Sequence, residues 1–379
     1  MPGNVTLTLE AEVARFAAEE IRPFATHFEE TSGIPRRLIT RMGEIGLLGA
    51  VLPPAYGGLG LDCLAYGQVT ELIGKACCAS RSVLTVHTSL VGETILRFGT
   101  EEQKAHWLPL IASGEKIGAF ALTEPEHGSD AAGIQTSYRK SGSDYLIRGK
   151  KKWISLGGIA DFFIVLATCN GRITAFITER DHTVTTVPMT GLLGNRGGHV
   201  AEITFTDTRV TPEHILGKEG NGFTHIVNAA MDYGRYSIAW AGQAIAQEAL
   251  DNMVSYARTR SQFGLKLGQL GAVQQLIAAA TVKVHAGRTL CGKAGLARQQ
   301  RDPDAAMETI IAKYYTSKTA MEIATDAVQV FGGNGCYNVY PVERLFREAK
   351  ILEIIEGTSQ VMEGIIAGFA LKKYYIPST

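Results

Sequence analysis

The chain has 379 residues, too many for one hydrophobic core, so two or three packed units are expected. Lys plus Arg and Asp plus Glu both number 37, and this zero net charge disfavours nucleic-acid binding through a basic field. The six cysteines form no CxxC, no signal-peptide pattern opens the chain, and no apolar run nears ~20 residues, which points to a reducing, cytoplasmic setting with no metal and no membrane insertion.

Residues 1–118 read as helical. Leu9, Val13 and Phe16 make one apolar stripe and Leu38, Met42, Ile45 and Leu48 another. The turn-rich Pro53-Pro54-Ala55-Tyr56-Gly57-Gly58-Leu59-Gly60 interrupts them, and Cys77 to Leu96 reads as one long buried helix carrying Arg81 and His87. Residues 119–221 change texture: Tyr145-Leu146-Ile147, Phe162 to Leu166, Ile173 to Ile177 and Ile203-Thr204-Phe205 are short β-rich runs between turn signals. They predict an antiparallel barrel or sandwich. No βαβ alternation and no GxGxxG after a strand is present, so a Rossmann site is disfavoured. From 222 to 379 the helical period returns, with Ile238, Ala241, Ile245 and Ala249 on one stripe and Ile310, Tyr314, Ser317, Met321 and Ala324 on another. Small residues there suit a four-helix bundle. The fold class is α+β, a strand domain between two helical ones.

Near the C-terminus, Glu353-Ile354-Ile355-Glu356-Gly357-Thr358-Ser359-Gln360 sets a carboxylate, a glycine, two hydroxyls and an amide between helical segments. Gly357 allows a sharp turn and the close approach of a flat ligand. Thr358 and Ser359 suit a helix cap and also suit donation to ligand oxygens. Glu356 among isoleucines loses water, which raises its pKa toward the range of a general base. Taken alone, the stretch reads more simply as an ordinary N-cap.

Seven motifs change that reading. In order they are Tyr56-Gly57-Gly58-Leu59-Gly60, Leu122-Thr123-Glu124-Pro125 with Gly128-Ser129-Asp130, Lys152-Trp153-Ile154-Ser155, Arg196-Gly197, Arg260-Ser261-Gln262-Phe263-Gly264, Phe331-Gly332-Gly333-Asn334-Gly335, and Ile355-Glu356-Gly357-Thr358. Together they resemble the acyl-CoA dehydrogenase family over nearly the whole chain. The resemblance implies an FAD enzyme that removes an α-proton from an acyl thioester, with Glu356 as base, while hydride passes to flavin N5. It implies that Leu122 and Thr123 bond the flavin pyrimidine and that Ser129 lies near the phosphates or the thioester tail. Trp153 and Ser155 would flank the isoalloxazine. Arg260 and Phe263 would serve a neighbouring subunit's FAD, Gln329, Gly332 and Gly333 its adenosine and pyrophosphate, and Thr358 and Gln360 the chain's own cofactor. A homodimer or homotetramer follows, with an electron-transfer flavoprotein or another acceptor taking the electrons.

The family's alternative base position, just before Arg235, is Gly234 here, which leaves Glu356 as the base. Arg235, Tyr236 and Gly357 are expected at the substrate, and Tyr236 with Trp240 is expected to shorten the acyl cavity. Arg81 reads either as half of a helix-to-helix salt bridge or as a contact for a polar or carboxylated acyl chain. Departures from the family pattern are Ile355 for a common Tyr, Leu156 for an Asn, and Gly271 for a Gln. The segments around Arg81 and Arg235 look most like a biosynthetic branch acting on acyl-carrier-protein substrates, in which hydroxyacyl groups become hydroxymalonyl-type polyketide extender units. A short acyl-CoA competes with that substrate. A flavin oxidase or monooxygenase on the same fold is disfavoured by Glu356.

Overall fold

The structure, a computed structural model, describes residues 2–375. Helices come first: α1 (Pro2–Phe16), α2 (Ala25–Glu30), α3 (Arg36–Glu44), α4 (Cys63–Ala76), α5 (Cys78–Val83), α6 (Glu93–Phe98) and α7 (Glu101–Ser113). Val13, Phe16, Leu38, Met42 and Leu48 meet in one core, as their spacing requires. Local chemistry sets the ends. The Asp62 carboxylate accepts the Ala65 N–H at 2.8 Å to start α4, and Thr100 with Gln103 forms a reciprocal capping box at α7.

The single helix expected over Cys77–Leu96 is three consecutive pieces: α5, a π-helical segment Leu84–Gly92, and α6. Within the π segment, His87 Nε2–H donates to the Ile111 carbonyl (2.9 Å) and Nδ1 accepts the Gly118 N–H (3.1 Å). Burial pushes the His87 pKa down to about 4, so the ring is a neutral pin between the helices and the first strand.

Eight strands follow: β1 (Gly118–Ala121), β2 (Ser137–Ser141), β3 (Asp144–Ile154), β4 (Phe162–Cys169), β5 (Arg172–Glu179), β6 (Val184–Pro188), β7 (Ala201–Val210) and β8 (Ile215–Leu216). The sheet order is β6-β7-β3-β2-β4-β5-β8, with β1 laid beside β4. Pairing is antiparallel except for β1 on β4 and a single β2–β4 bridge, both parallel. Trp107 of α7 lies on Phe162, ring centroids 4.3 Å apart, which joins helices to sheet. Strand β3 bulges between Lys151 and Ile154, where it leaves regular register with β7.

The remainder is helical: α8 (Asn228–Thr259), a small hairpin of β9 (Ser261–Gln262) and β10 (Leu265–Lys266), then α9 (Gly271–Gln299), α10 (Ala305–Phe331), α11 (Pro341–Leu352) and α12 (Ser359–Lys373). The α8 stripe Ile238, Ala241, Ile245 and Ala249 packs with Ala320, Ile323, Ala324 and Ala327 of α10. Among the described residues no helix is long and apolar enough to cross a membrane.

Packing is close where α4 crosses α8. A Cβ on Gly67 would collide with the indole of fully buried Trp240. Gly67→Ala is therefore expected to lower the unfolding free energy by about 1–3 kcal/mol despite alanine's better helix propensity, read as a fall in the urea midpoint.

Candidate active site

Glu356 follows the last turn of α11 with φ +55°, and Gly357 follows with φ +96°. Two successive left-handed residues reverse the chain so that α12 can begin at Ser359. A side-chain-bearing residue pays roughly 1–2 kcal/mol for that conformation, so the loop must be held from outside. Two cations do so. Arg235 Nε–H donates to the Glu356 carbonyl (3.1 Å), and the Lys313 ammonium donates to the Gly357 carbonyl (2.6 Å).

The Glu356 side chain lies over α8 at Gly234. A Cβ at Gly234 would collide with Oε2 of Glu356 and would come within 2.8 Å of Leu90 in the π segment. Oε2 is shut off from solvent and has no hydrogen-bond partner among the described residues. This desolvation pushes the Glu356 pKa up to about 7, against the opposing pull of Arg235 and then Lys313. Lys313, absent from the sequence-based site, is fully buried, and burial lowers its own pKa to about 8. The signal was a lysine inside the apolar run Ile310-Ile311-Ala312-Lys313, where an unpaired ammonium needs a reason to exist.

Of the residues expected at the substrate, Arg235 and Gly357 are in this cluster and two others are elsewhere. Tyr236 lies two residues beyond Gly234, about 200° around the helix, and its hydroxyl donates to the Cys63 carbonyl at 2.7 Å. Tyr236 and Trp240 pack with Cys291, Ala294 and Leu64, toward α4 and α9, so they do not cap the space above Glu356. Arg81 makes no salt bridge among the described residues, contrary to that expectation. Its guanidinium is 1 % exposed and donates to Thr85 Oγ1 (2.8 Å), to Ser237 Oγ (2.7 Å) and to the Ser237 carbonyl. Ser237 is one turn past Gly234, which puts Arg81 about 4.5 Å further along the α8 axis than the Glu356 contact.

A second group gathers at the end of β1 and the bulge of β3. The Thr123 carbonyl accepts the Lys152 N–H at 2.9 Å, tying the two segments together. Trp153 has φ +62° and stays 52 % exposed, while Leu122 beside it is buried. Ser155 is half-buried, and Ser129 is exposed on the preceding loop. Leu156, where the family pattern has Asn, also has a positive φ (+60°), which Asn tolerates better; its fully buried side chain offsets the strain.

The third group is remote. Arg260 is 26 residues beyond Gly234 at the far end of α8, a rise of about 39 Å. There Tyr256 stacks on Phe331 (centroids 4.0 Å, planes 14° apart) and its hydroxyl accepts from Asn334 Nδ2 at 2.8 Å. These contacts bring Arg260 and the 92 %-exposed Phe263 to the same end of the bundle as Gln329, Gly332 and Gly333. Near Gly271, Gln269 and Gln274 bond locally to the Lys266 N–H and the Gly268 carbonyl.

Family models match the described domains in sequence. "Acyl-CoA dehydrogenase, N-terminal domain" covers residues 6–115, the middle domain 119–208 and the C-terminal domain 220–371. The chain belongs to the acyl-CoA dehydrogenase family. It is 39% identical to an acyl-CoA dehydrogenase of Bacillus subtilis over 365 residues, 95% of this chain and 96% of the relative. It is 37% identical to a short-chain specific acyl-CoA dehydrogenase of Clostridium acetobutylicum, over 96% of this chain and 99% of that one. Butyryl-CoA dehydrogenase from Megasphaera elsdenii superposes with TM-score 0.93 at 34% identity, covering 97% and 98% of the two chains. A glutaryl-CoA dehydrogenase from Mycobacterium smegmatis in complex with FADH2 gives TM-score 0.92 at 27% identity, covering 98% and 96%. FkbI, of methoxymalonyl extender-unit biosynthesis for an FK520 polyketide, gives 0.88 at 29% identity, covering 97% and 99%.

An acyl-CoA dehydrogenase is an FAD oxidoreductase, and the residues present fit that cofactor. Trp153 is a half-exposed aromatic, Gly332 and Gly333 leave unobstructed backbone, and Glu356 Oε2 is a sealed carboxylate oxygen without a partner among the described residues. Gly234→Ala should displace the Glu356 carboxylate and cut kcat roughly 100-fold, while the melting temperature changes little, since only the ends of the Glu356 and Leu90 side chains must shift and alanine favours the helix. Glu356 can accept a proton only when ionised, so a reaction that uses it as base should show kcat/KM rising with pH through about 7. Lys313→Met, by removing a cation that favours the carboxylate, should move that limb to higher pH.

Proposed function

We propose that this chain dehydrogenates a short acyl thioester with a polar or carboxylated end, using Glu356 to take the α-proton. The observation that carries the substrate class is Arg81. Its guanidinium is buried with only neutral acceptors, and burial lowers its pKa. A buried cation without an anion is costly, and an acyl chain ending in a carboxylate or hydroxyl would supply the missing partner. Glu356 lies over Gly234, and Arg81 binds Ser237 three residues further along α8.

Leu122, Thr123, Trp153 and Ser155 would hold the flavin ring, Ser129 its phosphates or the thioester tail, and Thr358 and Gln360 the chain's own cofactor. Bound there, FAD supplies the hydride acceptor. Glu356 takes the α-proton, and with Oε2 shut off from solvent the carboxylate leaves water little access during the transfer. The Glu356 N–H is positioned by the Arg235 and Lys313 anchors and would polarise the thioester carbonyl. The product is the α,β-unsaturated thioester. Arg260 lies at the far end of α8 from Gly234, and Phe263, Gln329, Gly332 and Gly333 belong to that same end of the bundle. They would serve a second copy, so a homodimer or homotetramer is the working assembly, with an electron-transfer flavoprotein or another acceptor as redox partner.

A second reading, supported by the likeness to FkbI, replaces coenzyme A by an acyl carrier protein and the acyl group by a hydroxyacyl one. Anaerobic bleaching of the flavin band across butyryl, glutaryl, hydroxyacyl and octanoyl thioesters, each on coenzyme A and on a carrier protein, tests both. Short polar or carboxylated chains are expected to react fastest, and faster bleaching by octanoyl thioester would refute the proposal. Arg81→Met should lower kcat/KM for the charged or hydroxylated substrates at least about tenfold and spare butyryl-CoA, as expected for loss of one charge-assisted hydrogen bond.

A further inference from the structure

Beneath the Leu122–Thr123 segment lies a buried ion pair that the reaction itself does not use. Lys151 is wholly inaccessible and Glu124 nearly so. The Lys151 ammonium donates to Glu124 Oε1 (2.8 Å) and to the Leu122 carbonyl (2.9 Å). The Glu124 carboxylate also accepts the backbone N–H of Gln135 (2.6 Å) and of Thr136 (2.8 Å). Three segments are thus joined by one closed network: the end of β1, the approach to β2, and β3 just before its bulge. Burial lowers the Lys151 pKa to about 8, and Lys151 together with the two backbone donors keeps Glu124 below its usual range, so both groups are charged at neutral pH.

A buried pair of this kind adds little net stability compared with apolar residues of the same volume, so its place in the fold calls for another account. Leu122 C=O and Thr123 N–H belong to one peptide unit. An ammonium on the carbonyl polarises that peptide and strengthens the N–H as a donor. The same strand turns two residues later to expose Trp153. We propose that Lys151 and Glu124 are positioning residues for the flavin: Lys151 aims and polarises the Leu122–Thr123 peptide toward the electron-accepting pyrimidine edge, and Glu124 holds Lys151 in place. This rests on the reading that Leu122 and Thr123 face that edge.

The test uses full-length apo-protein and four chains: wild type, Lys151→Met, Glu124→Gln and the double variant. The readouts are FAD dissociation constant by fluorescence titration, flavin midpoint potential, and apo-protein melting temperature. Lys151→Met is expected to weaken FAD binding at least about tenfold and to make the midpoint potential more negative, as loss of a charge-polarised donor requires. Glu124→Gln should lower the melting temperature and shift the potential in the same direction as Lys151→Met, by a smaller amount, because Lys151 loses its ionic partner. The double variant should melt near wild type while keeping the flavin defects, and it carries the test if Lys151→Met does not fold. A folded Lys151→Met or double variant with unchanged FAD affinity and potential would overturn the proposal. Wild-type apo-protein that fails to take up FAD would instead overturn the flavin-edge reading beneath it.

Discussion

The structure turns on a carboxyl group held where water cannot reach one of its oxygens. Glu356 Oε2 occupies the space that a side chain at residue 234 would fill, so a glycine on one helix and an acid on a loop are a single steric unit. The position is bought with left-handed backbone at Glu356 and is kept by Arg235 from α8 and Lys313 from α10. Both anchors bind main-chain carbonyls of the loop, so neither forms a short salt bridge that would quench the carboxyl. This balance would suit a general base: the positive charge nearby favours ionisation near neutrality and is too little to fix the pKa low.

The loop is only as well placed as the helix that leads into it, and α11 is tied to both other parts of the chain. Arg347 NH1 donates to Glu29 Oε2 of α2 (3.2 Å) and to the Leu193 carbonyl before β7 (2.9 Å), while its other nitrogens bind Glu343. Glu29 Oε1 in turn accepts the Gly197 N–H. One guanidinium therefore joins the N-terminal helices, the sheet domain and the helix preceding the Glu356 loop. His87 performs a similar task between the π segment, α7 and β1 with a neutral ring, which adds no buried charge.

Periodicity reveals the helical and strand-rich stretches because burial of a face is written directly into residue spacing. The stretch at Glu356 is legible from its own residues only as a turn and a helix cap, and its reading as a site comes from the resemblance carried by the seven motifs. What periodicity does not give is the rotation of one helix against its neighbours. Tyr236 is two residues from Gly234 and looks adjacent in sequence, yet it points to α4 and α9. Arg81 looks like half of an ion pair until Ser237 is seen to be its partner. Lys313 is invisible to motif reading because its contact is with a main-chain oxygen 44 residues away. The π-helical insertion leaves no compositional mark, and only the paired bonds of His87 show what the wider turn achieves.

The cap of the last helix resolves a choice that sequence alone poses as a rivalry. Thr358 Oγ1 accepts the Val361 N–H at 3.3 Å, which uses one lone pair of the hydroxyl. Its hydrogen is not spent by that bond. Stabilising α12 and reaching out to a guest molecule are therefore jobs for opposite ends of the same O–H group, and the threonine is free to do both at once.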